Sequence, residues 1–234
     1  MASRPVFVPS TSGSLLVKTH SIDFTWHAGM SRSQSQKSIR SLHSEVKNRL
    51  GFDNALEISS KSEQEIGVNL SAFNLMITTV KRKKEFSLEC AFQASKVFEN
   101  GGPFLDLLDA RSIDAKRDPR LQSHGRLVGF RFYGVDWDLM PRTAFYDWLY
   151  LNALHKNPEL ASKIMEFSAF TDIAFNPAKS INCQAYSAAL YVSLSLRGLL
   201  SDELLRNKDM YLNLVSSGHV SNAREDTGQQ GRLV

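Results

Sequence analysis

The stretch that most constrains this chain is FSLECAFQASKVFENGG, residues 86–102. At about 100° per residue, Glu89, Gln93, Lys96 and Asn100 fall at i, i+4, i+7 and i+11, one narrow stripe. Apolar residues cover the rest of the wheel: Leu88 and Phe92 on one flank, Cys90 and Val97 on the other, Ala91, Ala94 and Phe98 behind. The spacing predicts a helix buried nearly all round. Its stripe must face solvent, other polar groups or a cavity, because burying a carboxylate and an ammonium without partners costs several kcal/mol.

With 234 residues, 42% of them hydrophobic, the chain suits one domain with a substantial core. A net charge of +4 leans only slightly toward polyanions such as nucleic acid or a diphosphate. The two cysteines, Cys90 and Cys183, sit inside apolar helical patterns and read as small buried residues, so a reducing compartment is expected. MASRPVFVPS lacks the apolar core of a signal peptide and no run is long enough to span a membrane, which makes a cytoplasmic location the expectation. Six scattered histidines show no paired ligand spacing, so no metal and no cofactor is expected.

Residues 4–8 and 15–26 alternate like strands. Residues 31–51 read as a helix with a serine start and a glycine stop, carrying a thin apolar stripe (Ile39, Leu42, Val46, Leu50) and the cations Arg32, Lys37, Arg40, Lys47 and Arg49. That basic face is either solvated or a contact for nucleic acid. ALEISS (55–60), VNLSAFNLMITTV (68–80) and the basic run KRKK (81–84) lead into the apolar helix. Residues 125–139 suggest a hairpin, followed by helices at 141–156, 158–168 and about 179–198. The expected organisation is an extension, 1–55, packed on the same domain, a core from 56 to 200, and a tail, 216–234, without structure.

The order of motifs resembles the NADAR (YbiA-like) family, small proteins that act on N-glycosidic bonds of ADP-ribose and related ribosides. LSAFN (Leu70–Asn74) is similar to its opening element, and ECAFQASKVF keeps Glu89, Phe92, Gln93, Ala94 and Lys96 at the family's spacing. AKRDPR (Ala115–Arg120) follows, with Pro119 in place of glycine. Then come Trp137, the segment Asn157–Leu160, and DIAFNPAKSIN with Asp172, Phe175, Asn176 and Asn182. Phe175-Asn176 replaces the family's Trp-Gly, and Ala153-Leu154 stands where many members have Lys-Phe. The extension resembles that of NADAR antitoxins paired with DarT toxins, members of which remove ADP-ribose from guanine in DNA. The resemblance implies an α+β, predominantly α-helical NADAR fold with a strand-helix extension at its N-terminus.

Cleaving a ribosyl N-glycosidic bond passes through an oxocarbenium-like state, which calls for a carboxylate near the anomeric carbon and a means of protonating the base. The resemblance points to Glu89 as that carboxylate. Lys96 would steady the diphosphate, tune Glu89 or attack the ring-opened sugar as an amine, and Asp172 would orient ribose hydroxyls or a water. Asn74, Gln93, Trp137, Asn176 and Asn182 are the ligand-binding candidates, with Trp137 stacking on the base. Read without the family, Glu89 and Lys96 are an internal pair, Trp137 is a core residue, Asp172 a turn residue and Asn182 a helix cap. The expected function is an ADP-ribosyl glycohydrolase acting on guanine of ADP-ribosylated DNA, with a DarT-type toxin as a second partner. The alternatives are an N-glycosidase on a phosphoribosyl aminopyrimidine of riboflavin synthesis and a non-catalytic binding module.

Overall fold

A computed structural model of the protein describes residues 1–79, 83–178 and 180–217. Strands β1 (Ala2–Pro9) and β2 (Val17–Phe24) form an antiparallel hairpin in which Val6 faces His20. Helix α1 (Arg32–Leu50) follows, started by Ser31, whose hydroxyl accepts from the Gln34 amide, and stopped by Gly51 at φ 77°, a conformation that favours glycine. Strand β3 (Ala55–Glu57), α2 (Glu65–Asn69), β4 (Met76–Thr78) and β5 (Glu85–Ser87) lead into α3 (Leu88–Ala94). Next come β6 (Lys96–Phe98), α4 (Ser112–Lys116), α5 (Arg120–Ser123), the hairpin β7 (Leu127–Phe132) and β8 (Val135–Trp137), α6 (Ala144–His155), α7 (Pro158–Lys163) and β9 (Ala169–Thr171). Helices α8 (Gln184–Leu196), α9 (Asp202–Arg206) and α10 (Lys208–Ser217) close the described chain.

The largest sheet has the order β2-β1-β9-β3, with β3 parallel to β9 and the other neighbours antiparallel. Alternation along β1 covers both of its faces: Val6 and Val8 pack with Ile39, Leu42 and Val46 of α1, while Phe7 joins the main core. The thin apolar stripe of α1 is thus enough to seat it, each buried aliphatic contributing about 1.5–3 kcal/mol. The main core gathers α3, α6 and α8, with Tyr150 and Tyr211 among its fully buried side chains. The fold is a mixed α+β one with more helix than strand. No helix among the described residues is long and apolar enough to cross a membrane.

The helix expected over 86–102 is much shorter. Ser87 caps α3, its hydroxyl accepting from the Cys90 amide, and α3 ends at Ala94. Lys96–Phe98 turns into β6 and pairs with β7, Lys96 opposite Phe130 and Val97 opposite Gly129. Val97 and Phe98 suit a strand, and the hairpin supplies partners that a helix would forgo. Gly102, at φ 87°, closes this strand: a Cβ there would collide with the Lys96 carbonyl. The helix expected from about 179 begins only at Gln184, because residues after Asp172 form turns, with Asn176 Oδ1 accepting from the Ala178 amide. Segment 158–168 is α7 followed by a 3-10 turn, Ile164–Glu166. Ser216 and Ser217, assigned to the tail from sequence, end α10, and the rest of that tail lies outside the described residues, as do Lys81 and Arg82. Sequence periodicity missed α9 and α10, which bury Leu204, Leu205, Tyr211 and Val215 while Met210 stays exposed.

Candidate functional site

The site is built where the LSAFN loop grips the start of α3. The Glu89 amide donates to the Ala72 carbonyl (2.8 Å) and the Leu88 amide to that of Leu75 (2.9 Å). Glu89 is 5% exposed, so its carboxylate needs internal partners. It accepts from Gln93 Nε2 at 2.8 Å, one helical turn on, and Lys116 Nζ from α4 lies 3.7 Å away. Among the described residues, Gln93 Oε1 is buried without a hydrogen-bond partner. Lys116 Nζ also sits 5.1 Å from the centre of the Phe73 ring, and Lys96 Nζ the same distance from that of Phe92.

Lys96 therefore reaches this region from a strand and not from the helical stripe that predicted it. Burial pushes its amine below the usual lysine range; the charge of Glu89 opposes this and that of Lys116 adds to it. Asn100, the last residue of the predicted stripe, is exposed in the turn after β6 and takes no part.

Asp172 is 8% exposed at the carboxyl end of β9. Its Oδ1 accepts from the amides of Ala174 (3.0 Å) and Phe175 (3.2 Å), and its Oδ2 from Gln184 Nε2 (3.0 Å). Burial, then the charge of Glu57, pushes the Asp172 carboxyl above the usual range, against these three hydrogen bonds. Gln184 links the two halves of the site. Its Oε1 accepts from the Ala72 amide at 2.8 Å, while its Nε2 also donates to the Ile58 carbonyl at 2.6 Å. Ala72 is thus held by Gln184 through its N–H and holds Glu89 through its carbonyl. Tyr146 of α6 senses both sides: burial first, then the charge of Glu89 and, more weakly, that of Asp172, raise its hydroxyl well above the ordinary value.

The model of a protein family described as the DarT1-associated NADAR antitoxin matches residues 2–225. The chain belongs to that family. The match includes the N-terminal extension, so β1, β2 and α1 are part of what defines this NADAR-DarT1 group. No curated protein matches the chain.

The remaining site residues expected from the sequence are placed differently. Asn74 is exposed and spends its amide on the Val68 carbonyl and the Ser71 hydroxyl, both at 3.0 Å, closing its own loop. Asn176 shapes the turn after Asp172, and Asn182 is half-buried just before α8. Trp137, expected to stack on a base, is a core residue at 3% exposure. Its ring is packed by Trp148 (4.9 Å between centroids), Phe145 (5.5 Å) and Tyr211 (6.3 Å), with Lys208 Nζ 5.3 Å from its centre. The aromatic cover comes largely from α6 and α10, the second of which periodicity missed. Lys116 and Gln184 were not among the predicted site residues. Lys116 lay inside the AKRDPR element that carried the resemblance, whereas Gln184, at the first turn of α8, gives no signal in the sequence.

The basic face of α1 is largely neutralised within the molecule. Arg40 pairs with Glu63 (2.8 Å), Lys47 with Asp53 (2.6 Å) and Arg49 with Glu45 (3.0 Å), while Arg32 donates to the Ser62 carbonyl.

Proposed function

We propose that the chain hydrolyses the N-glycosidic bond between ADP-ribose and a guanine of DNA, and so reverses the modification made by a DarT1-type toxin. The observation that carries this reading is the buried Glu89 carboxylate with Lys116 Nζ at 3.7 Å and the buried amine of Lys96 within range of its charge, beside a Gln93 carbonyl that has no partner among the described residues. A sugar hydroxyl or an amino group of the ligand would donate to that carbonyl, recovering about 1–3 kcal/mol that it now costs. Glu89 stabilises positive charge growing on the anomeric carbon. The depressed Lys96 amine is available in its neutral form to attack the ring-opened sugar, and Lys116 neutralises the diphosphate. Asp172 supplies a second carboxyl, separate from Glu89, as bond cleavage with proton transfer to the base requires. The test is to incubate the purified chain with an oligonucleotide ADP-ribosylated on guanine. Release of free ADP-ribose and unmodified oligonucleotide is expected; binding without release would overturn the reading in favour of a recognition module.

A further inference from the structure

Behind Asp172 lies a second buried carboxyl, Glu57 of β3, at 1% exposure. It accepts from the Ser59 hydroxyl (2.7 Å), the Thr171 hydroxyl (2.7 Å) and the Ile173 amide (2.9 Å). The two acids straddle one turn: the amide of residue 173 goes to Glu57, those of 174 and 175 to Asp172. Thr171 also meets His43 Nε2 of α1 at 2.9 Å, and His43 lines a cleft of about 360 Å³ between α1 and the end of β3.

The direction of the hydrogen bonds along this chain decides where a proton resides. A threonine hydroxyl has one hydrogen. If it is given to Glu57, then Glu57 is ionised and His43 must donate from Nε2. If Glu57 is itself protonated, it donates to Thr171, whose hydrogen turns to His43, and His43 must carry its proton on Nδ1. Burial pushes the Glu57 carboxyl above the usual range, and the three donors that converge on it work against this, toward its ionised form. At Asp172, Oδ1 takes both backbone amides and Oδ2 takes only Gln184. Oδ2 therefore keeps room for a hydrogen and for a bond to a ligand.

We propose that Glu57 is a positioning residue, an ionised carboxylate whose charge keeps a proton on Asp172 so that Asp172 is the acid for the departing base. This rests on the glycosidase reading and assigns a role within it. As the bond between the anomeric carbon and the guanine nitrogen breaks, its electron pair passes to the base. The Asp172 proton goes to the base, the Lys96 amine holds the freed anomeric carbon, and water then displaces the amine, the proton released in that step restoring Asp172. Among the described residues, no cation forms an ion pair with Glu57. On the α1 side, Arg40 and Lys47 are paired with Glu63 and Asp53, and burial drives the His43 imidazole down to about 4, so it is neutral. Arg4 of β1 binds the Ile173 carbonyl (3.2 Å). On the α6 and α8 side, Tyr146, Tyr150 and Cys183 are all pushed upward, chiefly by burial, and stay neutral.

The test uses the full chain labelled with ¹⁵N in histidine and ¹³C in the carboxyl groups, as wild type, Glu57→Gln, Thr171→Val and Asp172→Asn, the last to assign the Asp172 signal. In the wild type His43 is expected as the Nε2–H tautomer. In Glu57→Gln the new amide donates to Thr171, so His43 should change to Nδ1–H, and Asp172 should titrate at a pH at least about one unit lower, a tenfold easier ionisation. The alkaline limb of oligonucleotide hydrolysis should move down by the same amount. Thr171→Val withdraws one donor from Glu57 and should shift the Asp172 titration in the same direction, which keeps the proposal testable if Glu57→Gln does not fold. An Nδ1–H tautomer in the wild type, or an Asp172 titration unmoved by both variants, overturns the proposal. Absence of hydrolysis in the wild type would refute the glycosidase reading alone, because tautomer and titration are read without substrate.

Discussion

Replacing Asp147 by asparagine should make the protein progressively more stable than wild type as the pH rises from mild acid to mild alkali. Asp147 is 3% exposed in the first turn of α6 and accepts from the hydroxyls of Ser187 (2.6 Å) and Thr143 (2.7 Å), tying α6 to α8. Burial pushes its carboxyl up to about 7, against these two hydrogen bonds. In the unfolded chain the group titrates near 3.9. Between those values the folded state holds a proton that the unfolded state releases, so stability falls as pH rises, by about 1.4 kcal/mol per unit, and no further above the folded value. From about pH 5 to 8 the loss from this one group is about 2–3 kcal/mol. An asparagine has no proton to lose, and it fits: its Oδ1 accepts from Ser187 while its Nδ2 donates to the Thr143 oxygen, both hydroxyls being free to turn. Urea unfolding of wild type and Asp147→Asn across this range should show a difference that grows by about 2–3 kcal/mol in favour of the variant, with equal slopes. Glu57, Asp172 and His43 also titrate with folding, yet they are present in both proteins and cancel. A difference that stays constant with pH would show that the carboxyl is not held protonated, and the argument from burial would fail.

Glu89→Gln should abolish release of ADP-ribose, by about a hundredfold or more, while the melting temperature changes little, because the amide keeps the shape and loses the charge; turnover within a few fold of wild type removes Glu89 from the chemistry. The same variant withdraws the charge that opposes the depression of Lys96, so the Lys96 amine should titrate at still lower pH, read by ¹³C-methyl labelling of lysines and NMR. Borohydride added during turnover should trap a sugar adduct on the wild type and none on Lys96→Arg; equal trapping in both would exclude Lys96 as the amine. Substituting Lys37, Arg40 and Lys47 together by alanine should change the salt dependence of oligonucleotide binding by no more than about one phosphate contact, since Arg40 and Lys47 are already paired; a much flatter slope would mean that these pairs open to bind DNA.

Local signals were read well where the physics is local. The serine and glycine that bound α1, the alternation of β1 and β2 and the residue types around Glu89 all act over a few positions, so the chain itself announces them. Glu89 and Gln93 remain one turn apart on a real helix, joined at 2.8 Å, as their spacing required. The error at Lys96 shows the limit. Its period matched a helix, but the β7 strand more than thirty positions along offered backbone partners, and residues 96–98 paired with it. Lys96 still lies close enough to feel the charge of Glu89 because α3 turns directly into β6, an outcome the wheel reached for the wrong geometric reason. Trp137, read as a candidate to stack on a base, was enclosed by α6 and α10 once the chain folded back. The sequence by itself determined the family, through the motifs that carry the resemblance, the mixed α+β class the resemblance implies, and a carboxylate and a lysine set among apolar residues. Only the tertiary structure decided which groups surround it: Lys116 from α4, Gln184 bridging Ala72 and Asp172, and Glu57 with His43 behind them. Those contacts join residues more than a hundred positions apart, or elements whose order along the chain leaves their packing open, and the energy that selects them comes from burial of the assembled core, which no short segment contains.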